Sequence, residues 1–310
     1  MLVNLRSNFI LRRIFNNLLK RKKLQLLRRN KKFQKKLNIT KKDFLEFKTL
    51  NQINQKYNLG VKDIEIEQLF QIGGGHPNKI IEDICKMAFA QLKELDLSEN
   101  IISDIKELKN AKFEQLESLN LMDNKINDIN IMEKVNFQQL KYLDFSGNEI
   151  SDIKILEKVN FPNLETLYLS KNKISDINVF EKTTFNKLKK LYLNWNNISD
   201  KFFFDKIKCE KLETLDLGRN SLIEISIKEE INLSNLKELM LYRNEISDLK
   251  VFEKLNLYNL KKLDLSRNNI RDISPLEKLN FDKLRKLDLS NNFIKNIKLL
   301  KNKKIAKLEY

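Results

Sequence analysis

Hydrophobic and polar residues in the last two thirds of this chain keep a fixed beat. From residue 92 onward the phrase L-x-x-L-x-L-x-x-N-x-I/L returns every 24 residues, with Phe145 in place of one leucine. Its first leucine is Leu92, Leu116, Leu140, Leu164, Leu188, Leu212, Leu236, Leu260 and Leu284. Its asparagine is Asn100, Asn124, Asn148, Asn172, Asn196, Asn220, Asn244, Asn268 and Asn292. A phase held over nine periods is a structural repeat, because one amphipathic helix cannot carry so long a beat. The central L-x-L alternates, and alternation is strand behaviour: successive side chains go to opposite faces. Stacked units then predict parallel strands about 4.8 Å apart, with Leu95, Leu97 and their equivalents inside.

The asparagine marks the turn off the strand, where backbone groups would otherwise be buried without partners. Its amide both donates and accepts, so a column of asparagines can serve the turns of neighbouring units. The back half of each unit predicts one short helix or 3₁₀ turn on the outer side. Ser274 with Pro275 and Glu277, Asn178 with Glu181, and Asn130 with Glu133 read as capping boxes. Phe113, Phe137, Phe161, Phe185 and Phe281 are expected to wedge beneath these turns. Cys209 shares their column and reads as a small buried apolar residue.

The phrase resembles the leucine-rich repeat family, over residues 92 to about 307. The resemblance implies an α/β solenoid, a horseshoe with a parallel concave sheet and short convex helices or 3₁₀ turns, built here as nine 24-residue units over 92–310. The I-S-D-I wording at Ile150–Ile153 resembles the repeats of internalins and of regulatory subunits of protein phosphatase 1, whose units are two residues shorter. Two units depart from the pattern: Lys201 and Lys228 stand at apolar columns, and a one-residue shift of the outer turn accounts for both.

A solenoid hides its leucine columns and exposes the other face of its sheet, so recognition residues belong among the outward strand positions. There Tyr142, Tyr168, Tyr192, Trp195, Met240 and Tyr242 gather in the middle units, and Arg219, Arg243 and Arg267 form a consecutive row. Tyr, Trp and Arg dominate protein interface energies. These nine residues are the expected partner-binding site. Asp144, Asp216, Asp264 and Asp288 on the same face argue against a nucleic acid there, because they would repel phosphate.

Charge sharpens the division of the chain. Of 59 Lys and Arg residues, 15 fall within residues 1–42, which hold no Asp or Glu. The remainder is close to neutral, with 44 basic and 42 acidic residues. Two cysteines and one histidine, His76, are too few for a disulfide framework or a zinc site. We therefore expect no enzyme, cofactor or metal. No apolar run approaches the ~20 residues of a membrane-spanning helix.

Residues 1–42 read as a basic helical segment, with Ile10, Ile14 and Leu18, then Leu24 and Leu27, at helical spacing. The order Ile10-Leu11, Ile14-Phe15, Leu18, Leu24, Leu27, with Lys31, Phe33 and Leu37 after them, resembles an F-box. The resemblance implies docking of Ile10, Leu11, Ile14, Phe15, Leu18, Leu24 and Leu27 on a Skp-type adaptor of a ubiquitin ligase, with the repeats selecting substrate. The leading proline and late tryptophan of that family are absent. An acid-free, Arg-rich start also has the character of a mitochondrial presequence, of a basic surface for anionic lipid or RNA, or of a solvated helical cap. Residues 43–91 form a connector and a degenerate N-terminal cap: Ile81, Ile84 and Phe89 precede Ile105, Leu108 and Phe113 by 24. His76 lies in QIGGGHPN, a turn rather than a phosphate loop. The expectation for the whole is a protein-interaction module of the cytoplasm or nucleus. A substrate-recognition adaptor and a phosphatase regulatory subunit are the alternatives.

Overall fold

A computed structural model describes residues 92–310, save 184, 229–230, 232, 280–281, 301–302 and 304, together with Ile81 and Cys85. The chain divides into two units, Met1–Ile84 and Cys85–Tyr310. In the first, Ile81 is helical and buried; in the second, so is Cys85.

Ten three-residue strands follow one another: β1 (Glu94–Asp96), β2 (Ser118–Asn120), β3 (Tyr142–Asp144), β4 (Thr166–Tyr168), β5 (Lys190–Tyr192), β6 (Thr214–Asp216), β7 (Glu238–Met240), β8 (Lys262–Asp264), β9 (Lys286–Asp288) and β10 (Lys307–Glu309). They make one open parallel sheet in sequence order. Units 1 to 9 begin at Leu92 and every 24 residues thereafter, and β1 to β9 pair with their equivalent residues in register. The inner leucines Leu119, Leu143, Leu167, Leu191, Leu215, Leu239, Leu263 and Leu287 are wholly buried. β10 extends the sheet beyond the nine units: Lys307 pairs with Lys286 after a shortened interval of 21 residues. The repeat pattern did not foresee it, because Leu308 falls out of phase and Ile305 and Tyr310 stand where the other units have leucine.

Between the strands stand 3₁₀ turns at Lys106–Asn110, Asn130–Glu133, Lys154–Glu157, Asn178–Glu181, Lys250–Lys254 and Ile297–Leu300, and two one-turn helices, α1 (Phe203–Lys206) and α2 (Ser274–Glu277). The expected capping boxes are corrected. No side-chain cap bond comes from the residues flanking these turns. The aspartate two positions earlier supplies the acceptor instead. Asp128 takes the N–H of Asn130, Asp176 that of Asn178, each at 2.8 Å, and Asp272 that of Ser274 at 2.9 Å. Asp104, Asp152, Asp200 and Asp248 do the same. Ser274, Asn178 and Asn130 are themselves the donors, so their side chains lie past the point where a cap would act. The aspartate closes an Asx turn around the intervening isoleucine or its equivalent. Pro275 does sit in the first turn of α2.

Phe113, Phe137, Phe161 and Phe185 are buried beneath the turns; Phe281 lies outside the described residues. Cys209 is half-buried rather than sealed, yet burial pushes its thiol up to about 12, as it does for Cys85, so neither is an activated thiolate at neutral pH. Lys201 and Lys228 are exposed, and their ammonium groups lie 5.3 and 5.0 Å from the ring centre of Phe202. Phe203 and Phe204 fill the core below. α1 starts one residue later than the equivalent turns, which accounts for Lys201. Around Lys228 the account differs: residues 221–227 hold no helical turn, and the Lys228 N–H reaches the Asp205 carboxylate at 3.2 Å.

Candidate partner-binding face

The face opposite the leucines is built from a rigid edge outward. From Asn124 to Asn292, each asparagine amide donates to a carbonyl in its own unit and to one in the preceding unit, and its oxygen accepts the N–H of the residue two past the preceding asparagine. Asn196 is representative: it donates to Leu193 O at 3.0 Å and Leu169 O at 2.9 Å, and accepts from Ile174 N at 3.0 Å. Asn100, with no complete unit before it, bonds Leu97 O and Ser98 O. Asn148, Asn172, Asn220, Asn244 and Asn268 follow the Asn196 pattern.

The middle residue of the outward face is most often aspartate, and its carboxylate turns back to the chain. Asp144 accepts the Ser146 N–H at 2.8 Å, Asp216 the Gly218 N–H at 2.9 Å, Asp264 the Ser266 N–H at 3.0 Å and Asp288 the Ser290 N–H at 3.1 Å. Ser266 and Ser290 add hydroxyl donors at 2.6 and 2.7 Å. This column is the floor of the sheet. Asp144, Asp216 and Asp288 are buried, and desolvation pushes the Asp216 carboxyl up to about 6.

Units 4, 5 and 7 replace that acceptor with Tyr168, Tyr192 and Met240. The tyrosines reach out of the floor. Tyr168 stacks flat on Tyr192, ring centres 4.3 Å apart and planes at 1°, and meets Tyr142 at 5.3 Å on its other side. Tyr142 donates its hydroxyl to Asp144 at 3.0 Å. Burial raises all three phenols, Tyr192 to about 12, so they remain neutral donors. Met240 is corrected as a surface residue: it is 6% exposed. It occupies the floor between Asp216 and Asp264, and its unbranched chain has no rigid ring to lift it clear.

Beyond the strands, each unit passes through a left-handed residue. The row is Glu99, Asp123, Gly147, Lys171, Trp195, Arg219, Arg243, Arg267 and Asn291, with φ between 52° and 66°. Gly and Asn accept this conformation easily, whereas a bulky side chain is strained there by roughly 1 kcal/mol. Trp195 nevertheless sits in it at φ 59°, 44% exposed, with the Arg219 guanidinium 3.5 Å above its ring. Desolvation and the charges of Arg219 and Arg267 hold the Arg243 guanidinium below its ordinary value, which brings the three arginines into one neighbourhood.

Two members of the cluster, Gly218 and Asn194, escaped the sequence reading. Gly218 lacks the side chain its column usually carries, and the expected Tyr242 lies in the gap: a Cβ on Gly218 would be 2.1 Å from the Tyr242 ring. Burial raises the Tyr242 phenol, with Asn194 beside it pulling the other way, and Asn194 accepts the Ser170 hydroxyl at 2.5 Å. The broken Asp-x-Ser phrase was the available signal for both. Among the described residues, no three His, Cys, Asp or Glu side chains form a metal-binding group, and no helix is long and apolar enough to cross a membrane. Ile10, Leu11, Ile14, Phe15, Leu18, Leu24 and Leu27 lie outside the described residues.

The comparisons with known proteins agree with this architecture. The family model described as Leucine Rich repeats (2 copies) matches residues 90–134, 138–182, 234–278 and 258–302, and a second, described as Leucine Rich repeat, matches 186–201. A search of curated proteins gives no match. Among solved structures, internalin C2 from Listeria monocytogenes is similar at 20% identity and a TM-score of 0.52, over 78% of this chain and 95% of that one. The plant peptide hormone receptor RGFR1, in complex with RGF2, is similar at 19% identity and a TM-score of 0.53, over 73% of this chain and 40% of that one. A plant ice-binding protein is similar at 20% identity and a TM-score of 0.53, over 73% and 75%. At such identities the likeness is one of fold. The chain belongs to the leucine-rich-repeat family.

Proposed function

We propose that the chain is a protein-interaction module whose partner docks on the open face of the sheet, centred on Tyr168, Tyr192, Trp195 and Tyr242. One observation carries the reading. At the floor and left-handed positions, the residues that favour the fold are Asp and Asn or Gly. The middle units put Tyr, Trp and Arg there and forgo those local advantages. Local rules broken without a compensating gain in the fold point to function. The aromatic rings are held by one another and by Arg219, so little rotamer entropy is lost on binding. RGFR1, of the same fold, is described in complex with RGF2, which supports a binding role without naming a partner here. Trp195→Ala and Tyr192→Ala should each weaken partner binding by about 2 kcal/mol while the melting temperature stays near wild type. Unchanged affinity in both would sink the site.

A finer reading makes the chain a substrate-recognition adaptor of an F-box-type ubiquitin ligase in the cytoplasm or nucleus. It rests on the motif-like residues Ile10 to Leu27. Capture from cells with the full chain, beside one lacking residues 1–42, tests it: a Skp-type adaptor must come with the first only. Capture of a phosphatase catalytic subunit by the repeats alone would favour a regulatory subunit instead.

A further inference from the structure

The charge on the open face is polarised along the stack, and the polarity says what kind of partner segment fits. The first residue after each opening leucine forms a row: Lys93, Glu117, Lys141, Glu165, Lys189, Glu213, Lys237, Lys261, Arg285. Over the first seven units its signs alternate, and each glutamate is bonded by lysine of the next unit: Lys141 to Glu117 at 2.7 Å, Lys189 to Glu165 at 2.9 Å, Lys237 to Glu213 at 2.8 Å. The alternation then stops. Lys261 and Arg285 follow Lys237 with no glutamate between, and neither forms an ion pair with a described residue. Lys237, Lys261, Lys283 and Arg285, with one carboxylate, Asp282, line a cavity of about 500 Å³ at this rim.

At the other end of the same strands stands the row Arg219, Arg243, Arg267, left-handed in backbone and crowded enough to depress one of its own members. Between the two basic rims the floor carboxylates Asp216, Asp264 and Asp288 are turned back to backbone N–H groups. Along the two rims of units 6 to 9, Lys237, Lys261, Arg285, Arg219, Arg243 and Arg267 outnumber the carboxylates Glu213, Glu238 and Asp282. Units 1 to 3 lean the other way: Glu117 is held by Lys93 and Lys141, and Glu94, Glu99 and Asp123 add negative charge along the face.

We propose that the open face of units 6 to 9 seats an acidic stretch of the partner protein, whose apolar part lies over Tyr168, Tyr192 and Trp195. The inference rests on the docking face described above and adds the chemistry and direction of what docks. A nucleic acid fits less well. Single strands are held by stacking on free aromatic faces, whereas here Tyr168 is flanked by Tyr142 and Tyr192, and Trp195 carries Arg219. The acidic units 1 to 3 would also repel a continuing phosphate backbone.

The test is selection of short random peptides by the full chain, followed by titration of the winners against four variants. These are Arg243→Glu with Arg267→Glu, Lys261→Glu with Arg285→Glu, Trp195→Ala, and Lys154→Glu on the outer turn of unit 3 as the control. The altered cations are at the surface, so each variant should melt with wild type. The expected result is an Asp/Glu run joined to apolar residues, binding weakened about tenfold or more by either charge reversal and by Trp195→Ala, and no change with Lys154→Glu. Winners without acidic bias that need Trp195 and ignore both reversals would overturn the acidic seat and leave the docking face standing. Winners indifferent to Trp195 and to the arginines alike, or no winners, would count against both. A short uridine RNA bound as tightly as the peptides, and lost in the same variants, would replace the acidic protein with a nucleic acid.

Discussion

Units 4 and 8 share an interior and differ in their face. Leu164, Leu167, Leu169 and Asn172 repeat as Leu260, Leu263, Leu265 and Asn268, all buried. On the outside, unit 8 has Asp264 and Ser266, which bond each other and close the strand end at 3.0 and 2.6 Å. Unit 4 has Tyr168, so Ser170 turns sideways to Asn194, and the tyrosine stacks on its neighbours. One substitution converts a structural closure into a surface. The leucine and asparagine columns specify the scaffold, and the floor residue decides whether a unit only extends it or also offers something to bind.

The scaffold half of this comparison breaks most visibly at the asparagines. Asn196→Ala should cost about 3 kcal/mol, because a buried N–H and two carbonyls lose their partner; Asn100→Ala, which severs bonds within one unit only, should cost about 1 kcal/mol. Urea denaturation of both variants checks the difference, and equal losses would mean that the inter-unit bonds add nothing.

Asp216 comes next. Desolvation raises its folded-state carboxyl from the ordinary value of 3.8 to about 6. The folded chain therefore holds that proton more tightly than the unfolded one. Ionisation costs stability above about 6, and the cost fades as pH falls through 6 towards 3.8. Asp216→Asn keeps an acceptor for Gly218 and should gain about 2 kcal/mol over wild type at pH 7.5, with the gain shrinking by pH 4. A constant difference across that range would contradict the burial.

The face itself can be exchanged. Tyr168→Asp loses a stacked ring and gains the Asp-to-Ser closure, so its stability should stay within about 1 kcal/mol of wild type while partner binding falls about tenfold or more. Asp264→Tyr, the reverse change in unit 8, should cost about 2 kcal/mol and leave partner apolar contacts unaltered. The smallest effect belongs to the left-handed row. Arg267→Asn, at φ 56°, should stabilise by about 0.5 kcal/mol, read as a small rise in melting temperature.

The solenoid was legible because its signal is periodic: Leu92 to Leu284 and the asparagines repeat a single environment, and one environment admits few residue types. Trp195 was also legible, since the period aims it outward. What the pattern hid were contacts between positions of different columns. Met240 looked exposed because alternation assigns a face but not a depth, and the floor is deep. The caps went to Asp128, Asp176 and Asp272 rather than to Asn130, Asn178 and Ser274, because the capping-box rule assumes the helix starts where the apolar run does. Tyr242 needed Gly218, 24 residues away, to lie down, and no local reading joins those two. β10 was missed because it comes 21 residues after β9 rather than 24, and Ile305 and Tyr310 replace the flanking leucines.

Trp195 is the only tryptophan among 310 residues, and it reports on the central claim by itself. Its fluorescence should be quenched by iodide much more strongly than by caesium at equal ionic strength, because an exposed ring beside Arg219 draws anions and repels cations; binding of a selected peptide should remove the iodide effect. Emission insensitive to both ions would mean that the indole is packed inside, and quenching that peptide binding leaves untouched would mean that the partner docks elsewhere.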